Sequence, residues 1–342
     1  MPSTQNYALP RRTHSASGEK RQVGFELEFA GLDLRHTVSL LERVFDESAH
    51  STSLAEARLT HARWGDFKVE VDSELAKSLA KTRARWREEA RARGELKAPP
   101  DYDPLAEWLV NLTTELVPVE VVCPPVDIDQ LADLDPLVDS LRAAGALGTS
   151  ESLLYAFGVH INPDLPALDA QTVARYLRAF ALAQDWLLEV HRVDLSRRFV
   201  PYIDLYSGSY RKKILGYDDR VSMDTLIDDY LHFNATRNRA LDMLPLFKHI
   251  DEARISAKIS DVRVKARPTF HYRMPNCEIN RPGWRLANSW NPWCVVEALA
   301  DSPELLDDLS AQFRRHDGNL LNLRRPAWHQ TLDQLLHDLA SA

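Results

Sequence analysis

Val23-Gly24-Phe25-Glu26-Leu27-Glu28-Phe29-Ala30 alternates without a break: Val23, Phe25, Leu27 and Phe29 are apolar, and Gly24, Glu26, Glu28 and Ala30 fall between them. Side chains of a strand point to opposite faces in turn, so the pattern predicts a β-strand with one face on a core. The other face carries two carboxylates flanked by residues too small to crowd them. Like charges this close repel unless water or a cation separates them. Taken alone, the stretch fits the solvated face of an antiparallel sheet. Later strands repeat the design, and the repetition gives that face a chemical meaning.

From Trp64 to Leu75, Phe67, Val69 and Val71 take one face, and Lys68, Glu70 and Asp72 the other, with Asp72-Ser73 closing the run. From Glu115 to Pro125, Val119 and Val121 flank Glu120, and Pro124-Pro125 stops the strand. From Leu153 to Pro163, Val159 and Ile161 point inward while Gly158, His160 and Asn162 point outward. Arg263 to Glu278 reads as strand, with Thr269, His271 and Arg273 on one face and Phe270 and Tyr272 on the other; Glu278, Asn280 and Arg281 follow close behind.

Between and after these strands, apolar residues recur at helical spacing over His36–Glu47, Asp127–Ala144, Asp169–Val190, Trp284–Leu299, Pro303–Arg314 and Trp328–Leu339. Met223–Ile250 reads as mostly helical, and the aromatic, basic stretch Pro201–Leu215 as a strand pair bordering a pocket. Lys77–Lys97 predicts a basic helix inserted in an acidic protein, broken at Ala98-Pro99-Pro100. Residues 1–20 are polar and aperiodic, the composition of a mobile tail. The expectation is one domain over residues 21–342, with the basic helical insertion near 77–97.

The chain has 342 residues, 44% hydrophobic and 27% charged, with a formal charge of −8. It is long enough for a substantial core, and its acidity argues against general nucleic-acid binding. The three cysteines, Cys123, Cys277 and Cys294, are scattered and form no C-x-x-C, which suits a reducing compartment and suggests neither zinc nor a disulfide framework. No apolar run is long enough to span a membrane and no apolar signal core opens the chain, so the expected location is cytoplasmic.

Together these elements predict an α+β fold: a mostly antiparallel sheet whose aliphatic face is covered by helices and whose other face is a concave acidic floor. A floor of carboxylates with some imidazole and amide suits hard divalent cations, Mg²⁺ or Mn²⁺. Two such ions can clamp a polyphosphate during phosphoryl transfer. Arg273 and Arg281 could add bidentate contacts to phosphate or carboxylate. Other chemistries lack their signatures: there is no G-x-x-x-x-G-K-[ST], no strand-linked G-x-G-x-x-G, no G-x-S-x-G and no H-E-x-x-H. Cys277 falls on the apolar side of its strand and reads as core.

Gly24-Phe25-Glu26-Leu27-Glu28-Phe29 resembles the opening G-x-E-x-E-F signature of the amidoligases, relatives of glutamine synthetase and glutamate–cysteine ligase in the carboxylate–amine ligase superfamily. In order, the strand closing at Asp72-Ser73, Val119-Glu120-Val121-Val122-Cys123-Pro124-Pro125, Phe157-Gly158-Val159-His160-Ile161-Asn162 and Thr269-Phe270-His271-Tyr272-Arg273 are similar to that family's later elements. The resemblance runs from about residue 21 to 300. It implies a sheet curved into a half-barrel funnel, as in glutamine synthetase, with ATP and Mg²⁺ (or Mn²⁺) on the acidic face. A small-molecule or peptide carboxylate would be phosphorylated and then attacked by an amine, giving an amide or isopeptide bond.

By carry-over, Glu26, Glu28 and Glu120 are metal ligands, Asp72 and His160 lie close to metal or phosphate, and Arg273 stabilises the transferring phosphoryl group. Asn162, His271 and Arg281 are further cofactor contacts. Asn162 stands where the family has a second histidine and His271 where it has a late glutamate, with Glu278 near enough in sequence to take that place. Two other classes stay open: a nucleotide- and metal-binding module of the same fold without turnover, and a metal-dependent hydrolase or phosphoryl transferase. The sequence leaves oligomerisation open.

Overall fold

β1 (Gln22–Phe29) lies inside the sheet, hydrogen-bonded on both sides. The computed structural model describes residues 6–53, 55–71, 118–149, 157–193, 203–317 and 327–341. Asp72 and the basic stretch 77–97 lie outside them.

In chain order, β1 is followed by α1 (Leu34–Phe45), β2 (Ala49–Ser51), β3 (Glu56–His61), β4 (Gly65–Val71), β5 (Val119–Val122) and β6 (Val126–Asp127). A 3₁₀ turn (Leu131–Leu134) leads into α2 (Asp135–Ala143), then β7 (Val159–Pro163), α3 (Ala170–Val190), α4 (Gly208–Ile214) and α5 (Met223–Asn234). β8 (Leu241–Asp242), α6 (Leu244–Ile250), α7 (Glu252–Lys258), β9 (His271–Tyr272), α8 (Ala287–Ala300), α9 (Pro303–Asp317) and α10 (Trp328–Ser341) complete the described elements. The sheet is open, with strand order β2-β3-β4-β5-β1-β7-β9-β8, and β6 pairs the start of β1. Every strand pairing is antiparallel. The fold is thus α+β, as the alternating strands and intervening helical periodicity require.

Val23, Phe25, Leu27 and Phe29 are completely buried on the apolar face. Helices cover that face: α1 packs on β3 and β4, and the Tyr176 and Phe180 rings of α3 meet Phe270 and Tyr272. Asp169 caps α3 by accepting from the Thr172 backbone N–H, satisfying one of the donors a helix start leaves open. α8 is apolar almost all round and packs between α3 and α10. Gly31 has φ +84°, and a Cβ there would lie 2.6 Å from the Gly145 carbonyl, so the turn after β1 requires glycine.

The start of β1 is anchored through a buried charge pair. Arg21 donates to both carboxylate oxygens of Glu297 on α8, at 2.9 and 2.7 Å, and Tyr176 Oη (2.6 Å) and Trp293 Nε1 (3.0 Å) also donate to Glu297. The described N-terminal residues are also tied down rather than free. Ala8 N donates to Asn291 Oδ1 at 2.9 Å, Trp290 Nε1 donates to the Ala8 carbonyl at 2.8 Å, and Tyr7 Oη donates to Asp135 at 2.7 Å.

Several elements differ from the sequence expectation for local reasons. Within the stretch 201–215, Gly208–Ile214 forms helix α4, because Ser207 accepts from the Tyr210 N–H and starts a turn; its Arg211 pairs with Asp185 on α3 at 2.9 Å. The helix expected over 223–250 ends at Asn234, and the chain then enters the sheet as β8 before α6 begins. The strand expected over 263–278 shrinks to His271–Tyr272 with isolated bridges at Thr269 and Asn276, since Pro268 and Pro275 cannot donate to a ladder. The helix expected from Asp127 starts only at Asp135, after β6 and the 3₁₀ turn. No helix among the described residues is long and apolar enough to cross a membrane.

Candidate metal centre and active site

The register gathers the polar side chains into rows. Glu28 pairs with Glu120 on β5, Glu120 with Glu70 on β4, and Glu70 with Glu56 on β3, so carboxylates run in line across these strands. One step along, Glu26 pairs with His160, and Gly24 with Asn162. Ile161 pairs with Tyr272 and Asp164 bridges to Thr269, a register that sets Asn162 opposite His271; His271 in turn pairs with Asp242 on β8.

This face is not washed by solvent at its centre. Glu26, Glu28, His160 and Asn162 are all buried. Glu26 Oε2 lies 3.0 Å from His160 Nδ1 and 3.8 Å from His271 Nε2, while its Oε1 accepts from Asn162 Nδ2 at 2.9 Å and lies 3.5 Å from Arg267. Glu28 Oε2 accepts from the Gly158 backbone N–H at 2.7 Å, and its Oε1 is 3.4 Å from His160 Nε2. His271 Nδ1 faces Asp242 Oδ2 at 3.6 Å, and Asp242, fully enclosed, accepts from the Leu244 N–H at 2.9 Å.

Among the described residues, two groups of side chains could each hold a metal ion: Glu26 with His160 and His271, and Glu28 with Glu120 and His160. In each, one ligand atom per residue lies within 4.8 Å of the others. The Glu28–Glu120 group is rich in oxygen and fits a hard dication; the other is rich in nitrogen. His160 belongs to both.

The electrostatics agree with a site built for positive charge. Burial alone would raise the Glu26 carboxyl, but the imidazoles of His160 and His271 outweigh it and hold the group well below the ordinary carboxylate range. His160 is pushed down to about 3, by burial first and by the Arg273 charge second, against the pull of Glu26, so its ring is neutral at neutral pH and available as a ligand. Burial also pulls His271 down, yet Asp242 and Glu26 together raise it above its ordinary value. A proton on His271 is the electrostatic equivalent of a cation beside Glu26.

The structure therefore brings together Glu26, Glu28, Glu120, His160, Asn162 and His271 from the residues the sequence singled out. Arg273 is buried beside them; it donates to the Arg237 carbonyl at 2.8 Å, and its charge bears on both histidines. Glu278 stands outside both metal-holding groups and pairs with Arg281 at 3.0 Å, so the late position facing Glu26 is held by His271 itself. Asp72 is outside the described residues. Cys277 is fully buried, in keeping with a core role. Burial, with Glu26 nearby, pushes the Cys123 thiol up, which keeps it protonated.

Sequence reasoning missed Asp242, Arg267 and Arg237. Asp242 sits in a two-residue strand inside a stretch with helical composition, too short to show a period of two. Arg267 precedes Pro268 in a loop, and Arg237 lies just beyond α5; burial and the charges of Arg273 and Arg263 pull Arg237 down, the mark of a crowded basic corner next to the acids.

A family model described as "Putative amidoligase enzyme" matches residues 19–295. The chain belongs to this amidoligase family. The match takes in every described strand and both metal-holding groups, and ends within α8. Its description places this amidoligase among enzymes of ligase type. No curated protein and no solved structure matches the chain.

Proposed function

We propose that this amidoligase is an ATP-dependent carboxylate–amine ligase that works with Mg²⁺ or Mn²⁺ on the polar face of the sheet, acting as a cytoplasmic enzyme. The observation that carries the reading is the pairing of Glu28 with Glu120 beside His160, next to Glu26 and His271. Carboxylates concentrated on one buried face are costly unless cations neutralise them. Adjacent divalent ions suit a polyphosphate substrate. In this reading the sheet is the floor of a half-barrel funnel.

The reaction has two steps. A substrate carboxylate oxygen attacks the γ-phosphorus of ATP; the bond to the β-phosphate oxygen breaks, and ADP leaves with an acyl phosphate formed. An amine nitrogen then attacks the acyl carbon, the carbon–oxygen bond to phosphate breaks, and the amine gives up a proton. The metal, when bound, neutralises charge on the phosphate oxygens. Glu26, Glu28 and Glu120 would hold it, and neutral His160 would add a nitrogen ligand. Arg273, whose guanidinium donates to the Arg237 carbonyl, would offset charge on the transferring group, and half-exposed Arg267 would meet an incoming anion. The amine and the carboxylate are small molecules or peptide groups.

A second reading has one observation in its favour. Asn162 ties up one oxygen of Glu26, which reduces the ligands Glu26 can offer and favours a binding module without turnover. The test is ADP and phosphate release with Mg²⁺ across a panel of carboxylates and amines. Release that needs both a carboxylate and an amine supports the ligase. ATP hydrolysis independent of both points to a hydrolase, and ATP binding with no release under any pairing points to the module.

A further inference from the structure

Glu26, His160 and His271 offer one carboxylate and two imidazoles. That is a different donor set from the adjoining Glu28–Glu120 pair. Mg²⁺ prefers an oxygen shell of near-ideal octahedral shape and sheds water reluctantly. Imidazole suits borderline ions such as Zn²⁺, Co²⁺ and Fe²⁺, and two histidines with one carboxylate leave positions open on such an ion.

The setting of His271 makes the difference concrete. Its Nδ1 faces the buried Asp242 carboxylate at 3.6 Å, and Asp242 is fixed in turn by the Leu244 N–H. A carboxylate behind a ligating imidazole sets its tautomer, keeps the proton on the far nitrogen and raises its basicity. With the proton on Nδ1, the Nε2 lone pair points toward Glu26 Oε2 at 3.8 Å, and Nε2, itself buried, makes no hydrogen bond. Two imidazole nitrogens thus converge on one buried carboxylate oxygen, His271 Nε2 and, at 3.0 Å, His160 Nδ1. In the metal-free protein a proton on His271 balances that oxygen, and a dication among the three would take the proton's place.

We infer that Glu26, His160 and His271 form a site selective for a borderline transition-metal dication over Mg²⁺, with Asp242 as the residue that positions His271. This rests on the metal reading of the polar face and not on ATP or amide chemistry. The full chain is stripped with a chelator and equilibrated with Co²⁺ against a large excess of Mg²⁺. Bound cobalt is read by elemental analysis and by visible absorption, and Mg-ATP binding is measured by calorimetry on the same samples.

The expected result is one cobalt per chain retained against Mg²⁺, with a nitrogen-shifted absorption band. His271→Glu weakens cobalt binding at least tenfold and lets Mg²⁺ compete, and Asp242→Asn weakens it about 10- to 100-fold. His271→Gln, which keeps a side chain of similar reach, serves if the glutamate variant fails to fold as judged by circular dichroism. Displacement of cobalt by Mg²⁺ in the wild type, or an unchanged spectrum in the folded His271 variant, overturns the inference. If cobalt is not bound but Mg-ATP is, only this inference falls; if neither binds, the ligase reading falls with it.

Discussion

Asn162 donates a hydrogen bond from Nδ2 to Glu26 Oε1 at 2.9 Å, across neighbouring strands and between two buried side chains. The amide neutralises part of the Glu26 charge and directs the remaining oxygen, Oε2, toward His160 and His271. Asn162→Asp removes a charge-assisted hydrogen bond and sets a second carboxylate against the first. In metal-free protein it should destabilise the fold by about 2–4 kcal/mol. Because a ligand that binds only the folded state stabilises it, added Mn²⁺ should recover much of that loss. The check is a pair of thermal melts, in chelator and in Mn²⁺; an equal loss in both would mean that no cation can reach Glu26.

Acid should weaken the metal-free protein in two overlapping ranges. His160 is held down at about 3 from an ordinary 6.5, so between these values the unfolded chain binds a proton that the native one does not, and stability falls as pH drops through that window. Glu26, lowered in the native state, adds a loss of the same sign below its ordinary 4.5. His271 has the opposite sign: its raised value contributes stability that is complete below 6.5 and fades as pH rises through the native value. Chelated protein should therefore be most stable slightly on the acid side of neutrality. His160→Gln should flatten the fall between pH 6 and 4, as read by chemical denaturation at stepped pH; an unaltered slope would show that His160 is not the buried neutral group.

Arg21 and Glu297 are each almost fully enclosed, and the pair joins β1 to α8. Removing one partner leaves a buried charge uncompensated. Glu297→Gln should cost about 3–5 kcal/mol in urea unfolding, despite keeping the shape and an acceptor for either Tyr176 or Trp293. A loss below about 1 kcal/mol would mean that water reaches this pair.

What could be read beforehand follows from length and periodicity. The Val23–Ala30 alternation is long enough that one face must be core, and Glu120, His160 and His271 declared the same face through their flanking valines, isoleucine and aromatics. α3 and α8 announced themselves through many turns of apolar residues. Asp242 could not be read this way, because a two-residue strand has no periodicity. α4 was misjudged because its tyrosines suggested strand while a single serine cap decided the helix. Burial of Glu26 was also hidden, since Arg267 and His271, which face it, lie more than two hundred residues further along and no local pattern links them.

Glu28 gives the sharpest test of whether the carboxylate row holds metal or is only a polar face. A solvated strand acid changed to Gln would shift stability by about 0.5 kcal/mol or less and leave ion binding alone. Here Glu28 is buried opposite Glu120, with one oxygen on the Gly158 N–H at 2.7 Å and the other turned toward His160. Gln can keep an oxygen for Gly158 while losing the charge that a hard cation needs. The informative quantity is the rise in Tm on adding Mg²⁺ and ATP, because it cancels whatever the substitution does to the metal-free fold. Wild type should show a clear rise, and Glu28→Gln should lose most of it, together with at least a tenfold weakening of Mg-ATP binding by calorimetry. A variant that keeps the full rise would show that the row across β3, β4, β5 and β1 is structural, and the ligase chemistry would then have to be sought elsewhere on this fold.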